Sequence, residues 1–222
     1  MRILVAIPCM EMVHSLFAKS LLGMRRVDGE LQFGFSSCSL VYDSRNGLTK
    51  KAISEGFDYV LWLDSDMDFP PDILEKLIED AKEGRNYISA LYVKRKLPVM
   101  PIVYKELGYY QSDEGVTPVA IPYLDYPEDS IFEIEGSGFG GCLTSVELLK
   151  KVAEKHGAPF SPILGFGEDL SFCFRVKDVG EKMYCDSRVK LGHIGYKIFT
   201  EEDYDRGESD ADKGKDCPAH NY

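Results

Sequence analysis

Residues 2–7 and 57–63 are apolar apart from Arg2 and Asp58, mostly aliphatic or aromatic, and a similar run, broken only by Ser89, spans residues 87–93. A strand with no polar face must be covered on both sides, the situation of strands in a parallel sheet with helices above and below. The intervening segments fit that arrangement. Residues 31–35 form a possible second strand. Asp43 or Ser44 caps a predicted helix to about residue 55, with Leu48, Ala52 and Ile53 on one side and Gly56 closing it. Pro70 and Pro71 lead into another helix whose Ile73, Leu74, Leu77, Ile78 and Ala81 share a face, with Gly84 as its stop. Strand and helix alternate over the first ~90 residues, which predicts an α/β fold built on a mostly parallel sheet.

The character changes from residue 98 to 135, where Pro, Tyr and Gly are frequent and short β-like runs fall at 100–104, 119–121 and 131–134. This segment reads as a smaller mixed β region. Thr144-Ser145-Val146-Glu147 has capping-box spacing and opens a helix to about residue 155. Leu164-Gly165-Phe166-Gly167 leads into Glu168-Asp169 and a helix ending near Gly180. Short strands are expected at 182–185 and 189–191, just before His193. Residues 201–222 are acidic and almost free of aliphatics, which predicts a mobile tail.

With 222 residues, 44% hydrophobic and 28% charged, the chain can bury a sizeable core and is not of disordered composition. A net charge of -11 argues against a nucleic-acid-coating protein. An anionic substrate remains compatible, because a bound divalent cation reverses the local sign. The opening apolar run is only five residues long and Pro8 follows it. That is too short for a secretory signal, and no run approaches the ~20 residues of a membrane span. The six cysteines include no C-x-x-C pair, so structural zinc is not expected, and reduced thiols in a cytoplasmic setting are.

Chemistry concentrates where the run 59–63 passes directly into Asp64-Ser65-Asp66-Met67-Asp68. In open parallel sheets ligands bind beyond the carboxyl ends of strands. Three carboxylates there repel one another unless they are solvated or neutralised by a cation. Mg²⁺ and Mn²⁺ favour such oxygens and share their remaining positions with phosphates. His193, flanked by Gly192 and Gly195, follows a short strand and is a candidate further ligand. Gly136-Ser137-Gly138-Phe139-Gly140-Gly141 lacks the lysine of a phosphate loop. It reads either as a tight turn or as a flexible loop with Phe139 free to stack on a ligand. Tyr104, Tyr109, Tyr110, Tyr123 and Tyr126 are candidates for a ligand-stacking surface or for plain packing. Trp62 belongs to the core. Lys94-Arg95-Lys96 is either a solvated edge or a phosphate contact.

The order Ser44-Arg45-Asn46, a helix to Gly56, a strand, then Asp64-Ser65-Asp66 resembles the nucleotide-sugar half of GT-A glycosyltransferases, the large family 2 group and its relatives. Gly138 to Cys142 and Phe166-Gly167-Glu168-Asp169 look like that group's acceptor loop and Glu-Asp motif. The resemblance extends over residues 1–195 and implies one GT-A catalytic domain, 1–200. Residues 1–97 would bind the nucleotide-diphosphate sugar and 98–200 would bind a sugar, glycan or other hydroxyl acceptor. It further implies that Pro8 and Cys9 lie by the nucleobase and that Arg45 approaches base or diphosphate. Asp64 and Ser65 would contact the donor, Asp64 through the ribose or the metal shell, and Asp66 with His193 would bind Mn²⁺ or Mg²⁺. Asp169, beside Glu168, would be the general base of an inverting transfer. Retention of configuration is the alternative at the same donor site. A non-catalytic binding domain would be expected to lack Asp66 or Asp169. Asp68 has no assigned role beyond that of a spare ligand or cap. A lid formed by 201–222 is a further expectation.

Overall fold

The computed structural model describes residues 1–113 and 115–204. In chain order the elements are β1 (Arg2–Cys9), α1 (Ser15–Gly23), β2 (Glu30–Ser37), α2 (Val41–Ser54), β3 (Tyr59–Leu63), β4 (Met67–Asp68), α3 (Ile73–Ala81) and β5 (Tyr87–Leu91). They continue as β6 (Val103–Ser112), β7 (Gly115–Pro122), β8 (Ile131–Ile134), β9 (Gly136–Ser137), β10 (Gly141–Ser145), α4 (Val146–His156) and α5 (Glu168–Asp178). The described chain closes with β11 (Met183–Lys190), β12 (Gly192–Ile194), β13 (Ile198–Phe199) and a short 3-10 turn, Glu201–Asp203.

Seven strands form the central sheet in the order β2-β1-β3-β10-β5-β11-β8. The pairs β2·β1, β1·β3 and β5·β11 are parallel, and β10 is antiparallel to both β3 and β5. With β8 antiparallel to β11, five strands run one way and only β10 and β8 oppose them. The sheet is thus mixed, with most strands sharing one direction. The period-2 alternation of side chains divides its core in two. Ile3, Val5, Ile7, Leu61 and Leu63 pack with Phe17 of α1 and with Ile73, Leu74 and Leu77 of α3. Leu4, Ala6, Val60 and Trp62 face the other way, onto Leu48 and Ala52 of α2, Val146 and Leu149 of α4 and Phe172 of α5. Helices therefore cover both faces, as the doubly apolar strands require.

Several expectations are corrected. α1 has no counterpart in the sequence reading because Phe17 is its one buried side chain, so it carries little periodic signal. α2 begins at Val41 after Leu40, which makes no side-chain cap. Asp43 lies in its first turn, where a negative charge suits the helix dipole, and Ser44 Oγ donates to Ser36 O at 3.2 Å. The cap of α4 is Ser145, whose Oγ accepts from Leu148 N at 3.1 Å. Thr144 instead lies in the core and accepts the Trp62 indole N–H at 2.9 Å. Residues 131–134 extend the main sheet and do not join the small β region, which consists of β6, β7 and β9. The two strands expected over 182–191 are one, β11. Buried Asp186, held by Arg188 Nε at 2.8 Å, interrupts the apolar pattern without interrupting the strand.

The glycine loop between β9 and β10 is a packing device. A Cβ at Gly138 would lie 2.1 Å from Tyr92 Oη, and one at Gly141 would lie 2.4 Å from Leu191 Cδ2. Phe139 is 1% exposed, inside a cage of Trp62, Tyr87, Phe160 and Phe172, so it is core and offers no face to a sugar. Residues 201–204 are docked: Glu201 accepts from Tyr126 Oη at 2.7 Å and pairs with Lys190 at 2.6 Å. The remainder of the expected tail and lid, 205–222, lies outside the described residues. Among the described residues no helix is long and apolar enough to cross a membrane, and the five cysteines are free thiols.

Candidate active site

A cleft of about 250 Å³ opens at the carboxyl ends of β1 and β3. Its walls include Pro8 and Cys9 from the end of β1, Cys38 and Ser39 beyond β2, and Arg45 of α2. Asp64, Ser65 and Asp66 follow β3, and Glu168 opens α5. Two larger hollows of about 630 and 660 Å³ lie round Met1 and hold none of the motif residues. Convergence of chemistry, and not volume, singles out the smaller cleft.

The acidic motif occupies a tight turn. Asp64 N donates to Gly140 O at 3.3 Å and Met67 N to Asp64 O at 3.2 Å, after which β4 pairs with β12. The third carboxylate, Asp68, faces away and accepts from Ser20 Oγ at 2.6 Å, so it serves the contact with α1 and is not a spare ligand. Asp64 and Asp66 then diverge. Asp64 Oδ1 takes Arg45 Nη2 at 2.8 Å. Asp66 Oδ2 faces His193 Nε2 at 3.5 Å and Arg95 Nη1 at 2.5 Å. Burial acts to raise the Asp66 carboxyl, but the His193 hydrogen bond and the nearby charges outweigh it and hold the group below its ordinary range.

His193 is oriented by the backbone. Its Nδ1 lies 2.9 Å from Val93 O. A carbonyl only accepts, so Nδ1 donates to it and Nε2 is the ring nitrogen turned toward Asp66. Tyr92 packs edge-on against the ring, at 5.8 Å between centroids. Asp66 and His193 thus form a preset pair of one oxygen and one nitrogen donor. Asp64 does not complete a triad with them, because Arg45 holds it. Among the described residues no three His, Cys, Asp or Glu side chains are placed to share an ion.

Arg45 lines the cleft but is almost wholly enclosed. It lies 1% exposed, with its guanidinium carbon 5.2 Å from the Phe139 ring centroid and 6.0 Å from those of Trp62 and Phe160. Besides Asp64 it reaches Glu168 Oε1 from Nε at 3.4 Å, while Nη1 is buried without a hydrogen-bond partner. Burial acts to lower the guanidinium pKa, but the charges of Asp64, Glu168 and Asp169 keep it above the ordinary value. Arg45 therefore ties the Asp64 turn to the Glu168-Asp169 turn and is only partly available to a ligand.

Gly167 is the cap residue of α5 and makes no side-chain cap, so Glu168 and Asp169 occupy the first turn. Asp169 Oδ1 accepts from Leu170 N at 2.7 Å. Burial, reinforced by the Glu168 charge, pushes its carboxyl up to about 6. Tyr104 stands close enough that burial and the Asp169 charge push its phenol up to about 12. Of the other tyrosines, Tyr126 is buried, Tyr123 packs on Phe132, Tyr109 donates to Leu164 O at 2.9 Å, and Tyr110 is exposed. They form no continuous stacking surface. Arg95 joins the site from the basic run after β5. The sequence signal was present in that run, but nothing in it specified the pairing with Asp66.

No family model and no curated protein sequence matches the chain. Solved structures do. A197 from STIV is 21% identical and superposes with a TM-score of 0.62 over 88% of this chain and 86% of that one. GalNAc-T7, solved with UDP, GalNAc and Mn²⁺, is 10% identical and superposes with a TM-score of 0.60 over 87% of this chain, which spans 44% of that protein's length. At these identities the likeness concerns the fold alone, and the chain has a GT-A-like fold.

Proposed function

We propose that the protein is a glycosyltransferase moving a sugar from a nucleotide-diphosphate donor to an acceptor hydroxyl, with a divalent cation. One observation carries this reading. Asp64-Ser65-Asp66 and Glu168, from distant stretches of chain, line one cleft at the carboxyl ends of the central strands, with His193 set against Asp66 and Asp169 next to Glu168 in the first turn of α5. Residues 1–97 supply most of the donor side. Residues 98–200 supply the Glu-Asp pair and the histidine.

Asp66 and His193 would hold the cation. A mixed oxygen and nitrogen pair suits Mn²⁺ better than Mg²⁺. When bound, the cation supplies Lewis acidity to the departing diphosphate. Pro8 and Cys9 border the space for the nucleobase, and Asp64, fixed by Arg45, faces the donor without a share in the cation. Asp169 takes the proton of the incoming hydroxyl. A carboxylate titrating at about 6 is ionised at neutral pH and still basic enough for that task.

The test is thermal shift and donor hydrolysis across a nucleotide-sugar panel, with Mn²⁺, Mg²⁺ or EDTA, on the wild type and Asp66→Ala. UDP-sugars are the first to try, since one structural neighbour was solved with UDP and Mn²⁺. Metal-dependent stabilisation by one donor, lost in the variant, supports the reading. Absence of any response from a folded wild type rejects it. An inverted anomeric configuration in the product supports Asp169 as base, and a retained one removes that role.

A further inference from the structure

Asp66 is already engaged by a cation of the chain's own. Arg95 Nη1 lies 2.5 Å from Asp66 Oδ2 and also donates to Ile194 O at 3.3 Å. His193 Nε2 approaches the same carboxylate oxygen at 3.5 Å. The guanidinium therefore stands at the oxygen a divalent ion would take, beside the second donor. The two sides of this contact differ in freedom. Asp66 is tied by Ile194 N donating to its carbonyl at 2.8 Å, and His193 by Val93 O at 2.9 Å. The Arg95 side chain is 52% exposed, on the turn Lys94-Arg95-Lys96, and is free to leave.

We infer that Arg95 is an exchangeable cation of the donor site: it neutralises Asp66 before loading, cedes that oxygen to the divalent ion, and turns its guanidinium onto the diphosphate that arrives with the ion. The inference rests on the donor-site reading above. An ion and a guanidinium on one carboxylate oxygen repel each other, so they alternate. A displaced guanidinium is always charged, and its planar fork matches phosphate oxygens. Metal alone thus binds against a competitor. Metal with diphosphate binds with Arg95 re-partnered, which couples the two ligands. If Arg95 were an ordinary surface ion pair, its removal would leave both affinities nearly unchanged.

The experiment uses the full chain as wild type, Arg95→Ala, Arg95→Lys and Asp66→Ala. Mn²⁺ alone is titrated by electron paramagnetic resonance. UDP, GDP, ADP and CDP are then titrated by calorimetry at saturating Mn²⁺. Arg95→Ala should bind Mn²⁺ alone about two- to fivefold more tightly, the range set by loss of an exposed ion pair. It should bind the preferred nucleotide roughly tenfold more weakly, the effect of one lost charge-assisted bond. Arg95→Lys, which keeps the charge without the fork, should fall between, and Asp66→Ala should lose Mn²⁺. If the wild type takes a nucleotide with Mn²⁺ but Arg95→Ala does not bind Mn²⁺ more tightly, or does not lose nucleotide affinity, the inference falls and the donor-site reading stands. If no nucleotide binds the wild type with Mn²⁺, both fall.

Discussion

Asp169→Asn should stabilise the protein at neutral pH while abolishing transfer. The carboxyl, ordinarily near 3.8, is pushed up to about 6 by burial and by the Glu168 charge. Its folded-state pKa is raised, so the stability it contributes is fully present below about pH 4. That stability is lost as pH rises through 6, because over this range the folded state holds the proton more tightly than the unfolded chain. The difference corresponds to about 3 kcal/mol at roughly 1.4 kcal/mol per tenfold change in proton affinity. Asparagine carries no charge to desolvate, and its side-chain oxygen can still accept from Leu170 N as the carboxylate does. For a chain of 222 residues, each kcal/mol moves Tm by about 2–4 °C, so Asp169→Asn should melt roughly 6–12 °C above the wild type at pH 8. At pH 4 the two curves should nearly coincide. Thermal unfolding followed by circular dichroism at both values measures this. A variant no more stable than wild type at pH 8 would refute the reasoning. So would an increment equal at both pH values, which would point to packing and not to charge.

Two other substitutions probe the supports of the site. Gly138→Ala places a methyl 2.1 Å from Tyr92 Oη, displacing a ring whose hydroxyl accepts Gly140 N at 3.0 Å and whose edge packs on His193. It should cost about 1–3 kcal/mol as an overpacked site and weaken Mn²⁺ binding several-fold, read by urea unfolding and by metal titration on the same sample. Arg45→Met removes a buried charge and leaves Asp64 and Glu168 facing each other across the cleft. Because both acids keep some solvent, with side chains 32% and 19% exposed, the cost should fall near about 3 kcal/mol, the lower end for a broken buried pair. Arg45 also acts to lower the Asp169 carboxyl, so the pH profile of transfer should move upward in the variant.

The parts of the fold that were legible are those where local pattern and tertiary role coincide. Ile3, Val5 and Ile7 serve one core and Leu4 and Ala6 the other, so doubly apolar strands correctly implied helices on both faces. The helix over Ile73–Ala81 carried five apolar residues on one stripe, and all five are buried. The acidic motif was legible for a similar reason, since an abrupt change from Leu63 to Asp64 marks a strand end in any sheet of this kind. What failed depended on partners far away in sequence. Phe139 looked available in a glycine loop, yet the cage that buries it comes from residues 62, 87, 160 and 172. Asp186 looked like a break between strands because an acid in a central strand is intelligible only once Arg188 and Asp80 are seen beside it. β10 enters between β3 and β5 and makes the sheet mixed, a feature that no local periodicity encodes.

Opposite charges explain how an acidic chain keeps three carboxylates on one small cleft and a fourth, Asp169, beside it. Asp64 and Glu168 share Arg45, and Asp66 faces Arg95 and His193. Asp169 alone has no direct ion-pair partner among the described residues, and it is the one whose carboxyl is driven up to about 6. The two arginines differ in a way that bears on function. Arg45 is sealed among aromatic rings, where a guanidinium that moved would abandon two partly buried acids, so it acts as a fixed strut between the Asp64 and Glu168 turns. Arg95 is half in solvent, where leaving costs little. On the proposed function, a site that admits a metal and a diphosphate, and later releases the diphosphate, needs its frame held by the first kind of contact and its binding positions guarded by the second. Exchanging their surroundings would defeat both: a buried Arg95 would bar the ion, and a mobile Arg45 would let Asp64 and Glu168 drift apart.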